Sequence, residues 1–247
     1  MFGAAARLRA AGVLGLNERN ADFIMRFNSR RHYPRVDDKV LTKELALEAG
    51  MAVPDLYGVI ANQGEVSTFA SIVENVESFV IKPAQGSGGD GILVVTGRSE
   101  RKRDCFRLSS GVIISEEEIL YHLQNIVSGQ YSLSGNPDKA LIEYCVHFDP
   151  VFAKVSYQGV PDVRVIVYRG YPAMAMVRLP TRASDGKANL HQGAVGAGID
   201  MGTGVTLGGV LDNEIVDDHP DTGALIMGLK IPHWDFILES SAKGYEV

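Results

Sequence analysis

The sequence is short of cysteine, positive charge and unbroken apolar runs, and each shortage narrows what it can be. Two cysteines, Cys105 and Cys145, give neither a disulfide framework nor metal-ligand spacing, so a reducing, cytoplasmic setting is expected. A net charge of −6 over 247 residues removes the basic footprint that general nucleic-acid binding needs. No stretch approaches the roughly 20 apolar residues of a membrane span. The opening sixteen residues are mildly apolar, but their arginines fall late and no cleavage site follows, which disfavours a signal peptide. A Walker P-loop is excluded because G-x-x-x-x-G-K-[ST] is absent. Internal repeats and low-complexity tracts are absent too. What remains is the composition of a soluble globular protein, 45% hydrophobic and 22% charged, with room for one large domain or two small ones.

The richest stretch is Phe79-Val-Ile-Lys82-Pro-Ala-Gln-Gly86-Ser87-Gly88-Gly89-Asp-Gly91-Ile-Leu-Val-Val95. Two runs rich in β-branched residues, 79–82 and 92–96, flank a glycine-dense loop, which reads as strand, loop, strand. Glycine lets backbone N–H groups approach and point at an anion, and Lys82 adds a point charge beside it. Residues 86–91 match G-x-G-x-x-G formally, but that fingerprint must open a helix, and here a strand follows. In protein kinases the lysine follows the glycine loop, whereas Lys82 precedes it. The segment is either a phosphate-covering hairpin or a plain surface turn.

Several neighbours have clear signatures. Residues 20–28 predict a helix with Phe23, Ile24 and Phe27 on one face, and the arginine-rich run 28–33 predicts a solvated helix end. Asp37 is a plausible N-cap for a helix carrying Leu41, Leu45 and Ala49 and stopped by Gly50. Ser115 and Glu118 form a capping box before a helix with Ile119, Leu123 and Ile126. Residues 140–146 read as a buried strand, and 163–168 and 173–179 as a hairpin around Arg169-Gly170. From Pro180 to Gly209 periodicity fades, the mark of an irregular and functional stretch. Hairpins mixed with helices, without strict βαβ alternation, predict an α+β protein in two lobes.

Polar residues in apolar surroundings supply the chemistry. Lys39 and Lys82 suit phosphate neutralisation. Glu143 interrupts an apolar run, so it is either paired in the interior or exposed on an alternating strand. Asp162 and Arg164 share a strand face, as a salt bridge or as site residues. Arg178, Arg182, Asn189 and His191 then place cationic and amide donors around a loop without core residues.

Together, Asp38-Lys39, Phe79-Val-Ile-Lys82-Pro with its glycine loop, Ile142-Glu143-Tyr144, Asp162-Val-Arg164 and Arg178 through Asn189-Leu-His191-Gln-Gly193 resemble the ATP-grasp superfamily. Within it, the opening segments Leu16–Asn20, Asn28–Arg30 and Tyr33–Lys39 are similar to the bacterial α-L-glutamate-ligase-related, sugar-transfer-associated proteins. The resemblance covers nearly the whole chain. It implies a nucleotide gripped between two α+β lobes: an N-terminal helical segment 1–35, a first lobe 36–142 with the hairpin, and a second lobe 143–247. Lys39, Lys82 and the loop Gly86, Ser87, Gly88, Gly89 and Gly91 would hold the ATP phosphates. Glu143 would face adenine or ribose, and Tyr144 would offer its backbone to the adenine edge. Arg164, Arg178 and Asn189 would serve the transferred phosphoryl group, with His191 either an orienting residue or an ordinary loop histidine.

The implied activity is ATP-dependent joining of a small-molecule or peptide carboxylate to an amine through an acyl phosphate. The alternatives are a nucleotide-binding regulatory or assembly module and, more weakly, a phosphotransferase. The resemblance also implies Mg²⁺, held by an aspartate and a late Glu-x-Asn. The sequence's one Glu-x-Asn is Glu18-Arg-Asn20, so the metal ligands are expected beyond residue 247 and the second lobe is expected to be incomplete. Asp200, Asp212, Glu214, Asp217, Asp218 and Asp221 are expected to be mostly solvated loop residues. Weak nucleotide binding with little Mg²⁺ enhancement and no turnover is the corresponding expectation for these 247 residues. Oligomeric state is not encoded legibly.

Overall fold

Two antiparallel sheets, each backed by its own apolar core, organise the chain. The computed structural model describes residues 3–99, 104–132 and 135–246; the extreme ends of the expected first and last segments lie outside it. The first sheet has six strands: β1 (Leu56–Ile60), β2 (Phe79–Pro83), β3 (Leu93–Arg98), β4 (Cys105–Leu108), β5 (Ile113–Ser115) and β6 (Ala140–Tyr144). Their spatial order is β1-β6-β2-β3-β4-β5, so β6 returns from far along the chain to lie between β1 and β2. The second sheet runs β11-β10-β9-β8-β7, from β7 (Asp162–Tyr168), β8 (Tyr171–Leu179), β9 (Val195–Ile199), β10 (Thr206–Leu211) and β11 (Glu214–Val216).

Alternation sets the faces. Phe79 and Ile81 point into the first core, where Phe69, Phe79 and Phe106 meet edge to face at 5.7–6.0 Å. Helix Glu116–Val127 closes that core with Ile119, Leu123 and Ile126, and the Ser115–Glu118 capping box forms as expected. Val80 and Lys82 consequently point the other way. In the second sheet Val177, Leu179, Val195, Ala197 and Ile199 face a core shared with Ile226 and Trp234, the latter opening helix Trp234–Lys243.

Three sequence expectations need correction. Helix Lys39–Glu48 is capped by Asp38 rather than Asp37: its carboxylate accepts from the N–H groups of Val40 and Leu41 at 2.9 and 3.3 Å. Asp37 is taken up in its own helical turn, Pro34–Asp37. The region 180–209 is not irregular throughout, because it contains β9 and the start of β10. The helix expected over 20–28 begins at Leu16 and is π-helical over Arg19–Met25, and its Phe23 and Phe27 both reach Tyr168, at ring distances of 6.3 and 5.4 Å. Among the described residues no helix is long and apolar enough to cross a membrane.

Candidate active site

The strand register builds a charged cluster on the open face of the first sheet. Val80 lies opposite Glu143 and Lys82 opposite Leu141, so Lys82 and Glu143 are diagonal neighbours and form an ion pair. A third residue, not singled out from the sequence, completes it. Lys43 stands one helical turn after Lys39 on helix Lys39–Glu48 and is 7% exposed. Its ammonium donates to the Pro54 carbonyl and lies 3.0 Å from Glu143 Oε2. That contact is an ion pair without directed geometry, for Glu143 Oε2 receives no hydrogen bond from the described residues. Glu143 is thus buried and paired, the first of its two sequence readings.

Lys39 sits beside this cluster. Its Nζ donates to the Ala84 and Gly86 carbonyls at 3.0 and 2.7 Å, tying the helix to the start of the glycine loop. Burial lowers its pKa from 10.5, and repulsion from Lys82 adds to that, outweighing the attraction of Asp138 and Asp38. Below it Asp138, 3% exposed, accepts from the Gln85 N–H at 2.9 Å, and Lys139 pairs with Asp38 at 2.9 Å. Burial alone would raise the Asp38 carboxyl, but Lys139 and the amides of Val40 and Leu41 hold it below its usual value.

The glycine loop divides into two roles. Ser87, Gly88, Gly89 and Asp90 form an open turn closed by Asp90 N–H to the Ser87 carbonyl at 3.2 Å. Gly86 and Gly91 are also required by packing. A Cβ at Gly86 would lie 2.3 Å from the Pro83 ring, and one at Gly91, where φ is +75°, would lie 2.6 Å from the Tyr131 ring. His122 Nε2 donates to the Gly91 carbonyl at 2.9 Å, and its Nδ1 faces the Tyr131 hydroxyl at 3.4 Å. Burial lowers the His122 pKa, in keeping with a neutral ring that donates on one side and accepts on the other.

Across a cleft of about 1000 Å³ stands the second sheet. Gly88, Gly89, Val94, Asp162, Arg178 and Asn189 are among its walls, while Lys82 and Glu143 lie on the sheet face shared with Val94. Asp162 and Arg178 are directly opposite on β7 and β8 and pair two-pronged, with Nε to Oδ1 at 2.6 Å. The salt bridge read as Asp162 with Arg164 is therefore Asp162 with Arg178. Arg164 shares their face but is exposed, opposite Met176. Asn189 Oδ1 accepts from His191 N–H at 3.1 Å, shaping the loop, and His191 itself is exposed. Tyr144 is 39% exposed and its N–H is engaged by the Asp55 carbonyl at 2.8 Å, so that group is not open to a ligand.

The loop after β8 is fixed by buried polar groups. Thr181 and Ser184 bond each other's amides at 3.0–3.1 Å, and Thr181 Oγ1 donates to the Gly193 carbonyl at 2.7 Å. His219, 1% exposed, holds the Pro180 carbonyl at 2.9 Å, and Asp221 accepts from the Arg182 N–H at 2.6 Å. The loop carries Lys187, whose ammonium reaches back across the cleft to Asp90 at 3.6 Å. Lys187 was legible only as one more charge in a polar loop.

The second-half carboxylates do not fit a magnesium ion. Asp200 is turned onto Thr203 at 2.6–2.8 Å, Asp212 and Glu214 flank an exposed turn, and Asp221 serves Arg182. Among the described residues no three His, Cys, Asp or Glu side chains converge to hold a metal. A separate hollow of about 480 Å³ behind β7, lined by Phe152, Val163, Ile231 and Phe236 among others, has no lysine or arginine in its wall.

Comparison with known proteins bears on the whole arrangement. No curated protein matches the sequence. Among solved structures, D-cycloserine synthetase DcsG is similar at 15% identity with a TM-score of 0.39, over 86% of this chain and 69% of that one. The D-alanine-D-alanine ligase of Helicobacter pylori is similar at 15% identity with a TM-score of 0.32, over 85% of this chain. The chain spans 61% of that ligase's length. A family model described as sugar-transfer associated ATP-grasp matches residues 18–247, and the chain belongs to that ATP-grasp family.

Proposed function

We propose that this chain carries the nucleotide grip of an ATP-dependent carboxylate–amine ligase working through an acyl phosphate. The observation that carries the proposal is the clustering of Lys39, Lys82 and Glu143 at the start of a glycine turn whose Gly88 and Gly89 line one cleft with Arg178, Lys187 and Asn189. On this reading the first lobe is 36–142 and the second 143–247. Lys39 and Lys82 take up phosphate charge, and the amides of Ser87, Gly88 and Gly89 cover it. Glu143 and the Tyr144 segment flank the nucleoside. Arg164, Arg178 and Asn189 attend the group in transfer. The match of residues 18–247 to the ATP-grasp family is in accord with ATP use.

A carboxylate is a poor electrophile. Its oxygen takes the γ-phosphoryl group with release of ADP; the amine nitrogen then attacks the acyl carbon and phosphate departs. The residues' task is placement and charge stabilisation along that path. No step is assigned here to a metal, since the described carboxylates do not build its site.

The nucleotide reading is tested by titrating ATP into Lys82→Ala. Losing one charge-assisted phosphate contact removes roughly 1.5–3 kcal/mol, a loss of one to two decades in affinity. Unchanged affinity in the folded variant would sink it. The ligase reading is tested by trapping with hydroxylamine in a full-length protein that carries the metal ligands, which should give a hydroxamate with ADP and phosphate as coproducts. AMP and pyrophosphate would mean adenylation, and binding without turnover would favour a regulatory nucleotide-binding module.

A further inference from the structure

Residues 3–37 form a folded segment that the rest of the chain hardly covers. Every one of them is exposed except Asn20, which is half-buried. Seven arginines and no lysine stand here against Glu18, Asp22 and Asp37, in a chain whose net charge is −6. Large apolar side chains lie open among them, including Leu14, Leu16, Met25 and Val36 at 41–69% exposure. A soluble helix normally turns such residues to a core.

The segment does not stand alone. Phe23 and Phe27 meet Tyr168 at the β7–β8 turn, and the Arg169 guanidinium lies 6.0 Å from the Phe27 ring. Beside that turn Tyr171 and Met174 are 78% and 61% exposed. Two segments far apart in sequence therefore meet, and each exposes arginine beside large apolar groups.

We infer that this surface docks on an anionic lipid bilayer. Arginine suits phosphate headgroups, tyrosine suits the interface, and aliphatic side chains gain by entering the acyl boundary. Nucleic acid fits less well, because the exposed leucine, methionine and valine side chains would gain nothing against a phosphate backbone. The inference concerns attachment to the surface, not a span, and it does not depend on the ligase reading.

The test is cosedimentation of the full chain with vesicles of phosphatidylcholine, with and without 30% phosphatidylglycerol, at low salt and at 0.5 M salt. Binding should be at least tenfold tighter to the anionic vesicles. Arg26→Glu/Arg30→Glu/Arg31→Glu should weaken it at least roughly a hundredfold, from about fivefold per basic residue lost. Met25→Ser/Tyr171→Ser/Met174→Ser should lower the binding that survives at 0.5 M salt. These positions are exposed, and circular dichroism would verify that both variants are folded. No binding to anionic vesicles overturns the inference, as does tighter binding to duplex DNA than to vesicles. Apolar substitutions without effect at high salt also overturn it, because attachment would then be purely electrostatic.

Discussion

Glu143 decides the charge balance of the first sheet. Its carboxylate lies in the interior between two ammonium groups, one from β2 and one from the neighbouring helix. Burying a carboxylate is tolerable only while it is paired. Lys43→Met removes one partner and leaves Lys82 to hold Glu143 alone. The variant should lose about 3 kcal/mol in urea unfolding, and an unchanged midpoint would mean that Lys43 is a bystander. Lys39 poses a different question, one of protonation. Its lowered pKa means that the folded, ligand-free protein disfavours the ammonium. Between that lowered value and 10.5, therefore, the unfolded chain binds more protons, and Lys39 adds stability as pH rises. Polyphosphate has the opposite preference and needs the charge. ATP affinity should fall as pH climbs through this window, with proton uptake on binding, as calorimetry in buffers of different ionisation enthalpy would record. Lys39→Arg, which keeps its charge, should flatten the dependence; an identical slope would remove Lys39 from the phosphate site.

At the scale of elements, the loop after β8 owes its shape to a close backbone approach. A Cβ placed on Gly159 would lie 1.7 Å from the Gly186 carbonyl oxygen, a contact that backbone cannot relieve by a rotamer change. Gly159→Ala should displace Lys187 and Asn189 together, costing about 3 kcal/mol or more in stability. Trypsin cleavage after Arg182 or Lys187 should quicken in that variant, and wild-type resistance to trypsin would argue that the loop tolerates the change. Glycine also explains part of what was legible in the sequence and what was not. β2, β3 and the capped helix Glu116–Val127 announce themselves through β-branched runs and a capping box. β9 reads Val195-Gly-Ala-Gly-Ile199: its core side is apolar, but its other side is bare, so alternation loses half its signal. Asp37 and Asp38 are equally good caps on paper, and only the preceding turn Pro34–Asp37 chooses between them. Lys82, the hairpin and Arg178 could be selected by residue type and spacing. Lys43, His122 and His219 could not, because each acts through a partner distant in sequence, at Glu143, Gly91 and Pro180.

For the molecule as a whole, the contact between Asp90 and Lys187 bears on how a ligand enters. It joins the tip of the glycine turn to the loop of the second sheet, across the mouth of the cleft that both line. Both groups are solvent-exposed, 70% and 36% for the side chains of Asp90 and Lys187, so the pair contributes about 1 kcal/mol at most. A latch this weak opens readily, yet it places a carboxylate where an incoming polyphosphate must pass. Asp90→Asn removes both the latch and the repulsion while leaving the backbone turn intact. ATP association should become severalfold faster at low salt, and the gain should shrink at 0.5 M salt as screening weakens both terms. Lys187→Met loosens the same latch but deletes a cation from the cleft, so its association should be no faster than wild type. Stopped-flow binding of a fluorescent ATP analogue separates the two. If Asp90→Asn binds no faster than the parent, the pair is an incidental surface contact and entry is governed elsewhere. Equal acceleration by both variants would instead mean that opening alone limits entry and that Lys187 does not attract the phosphates.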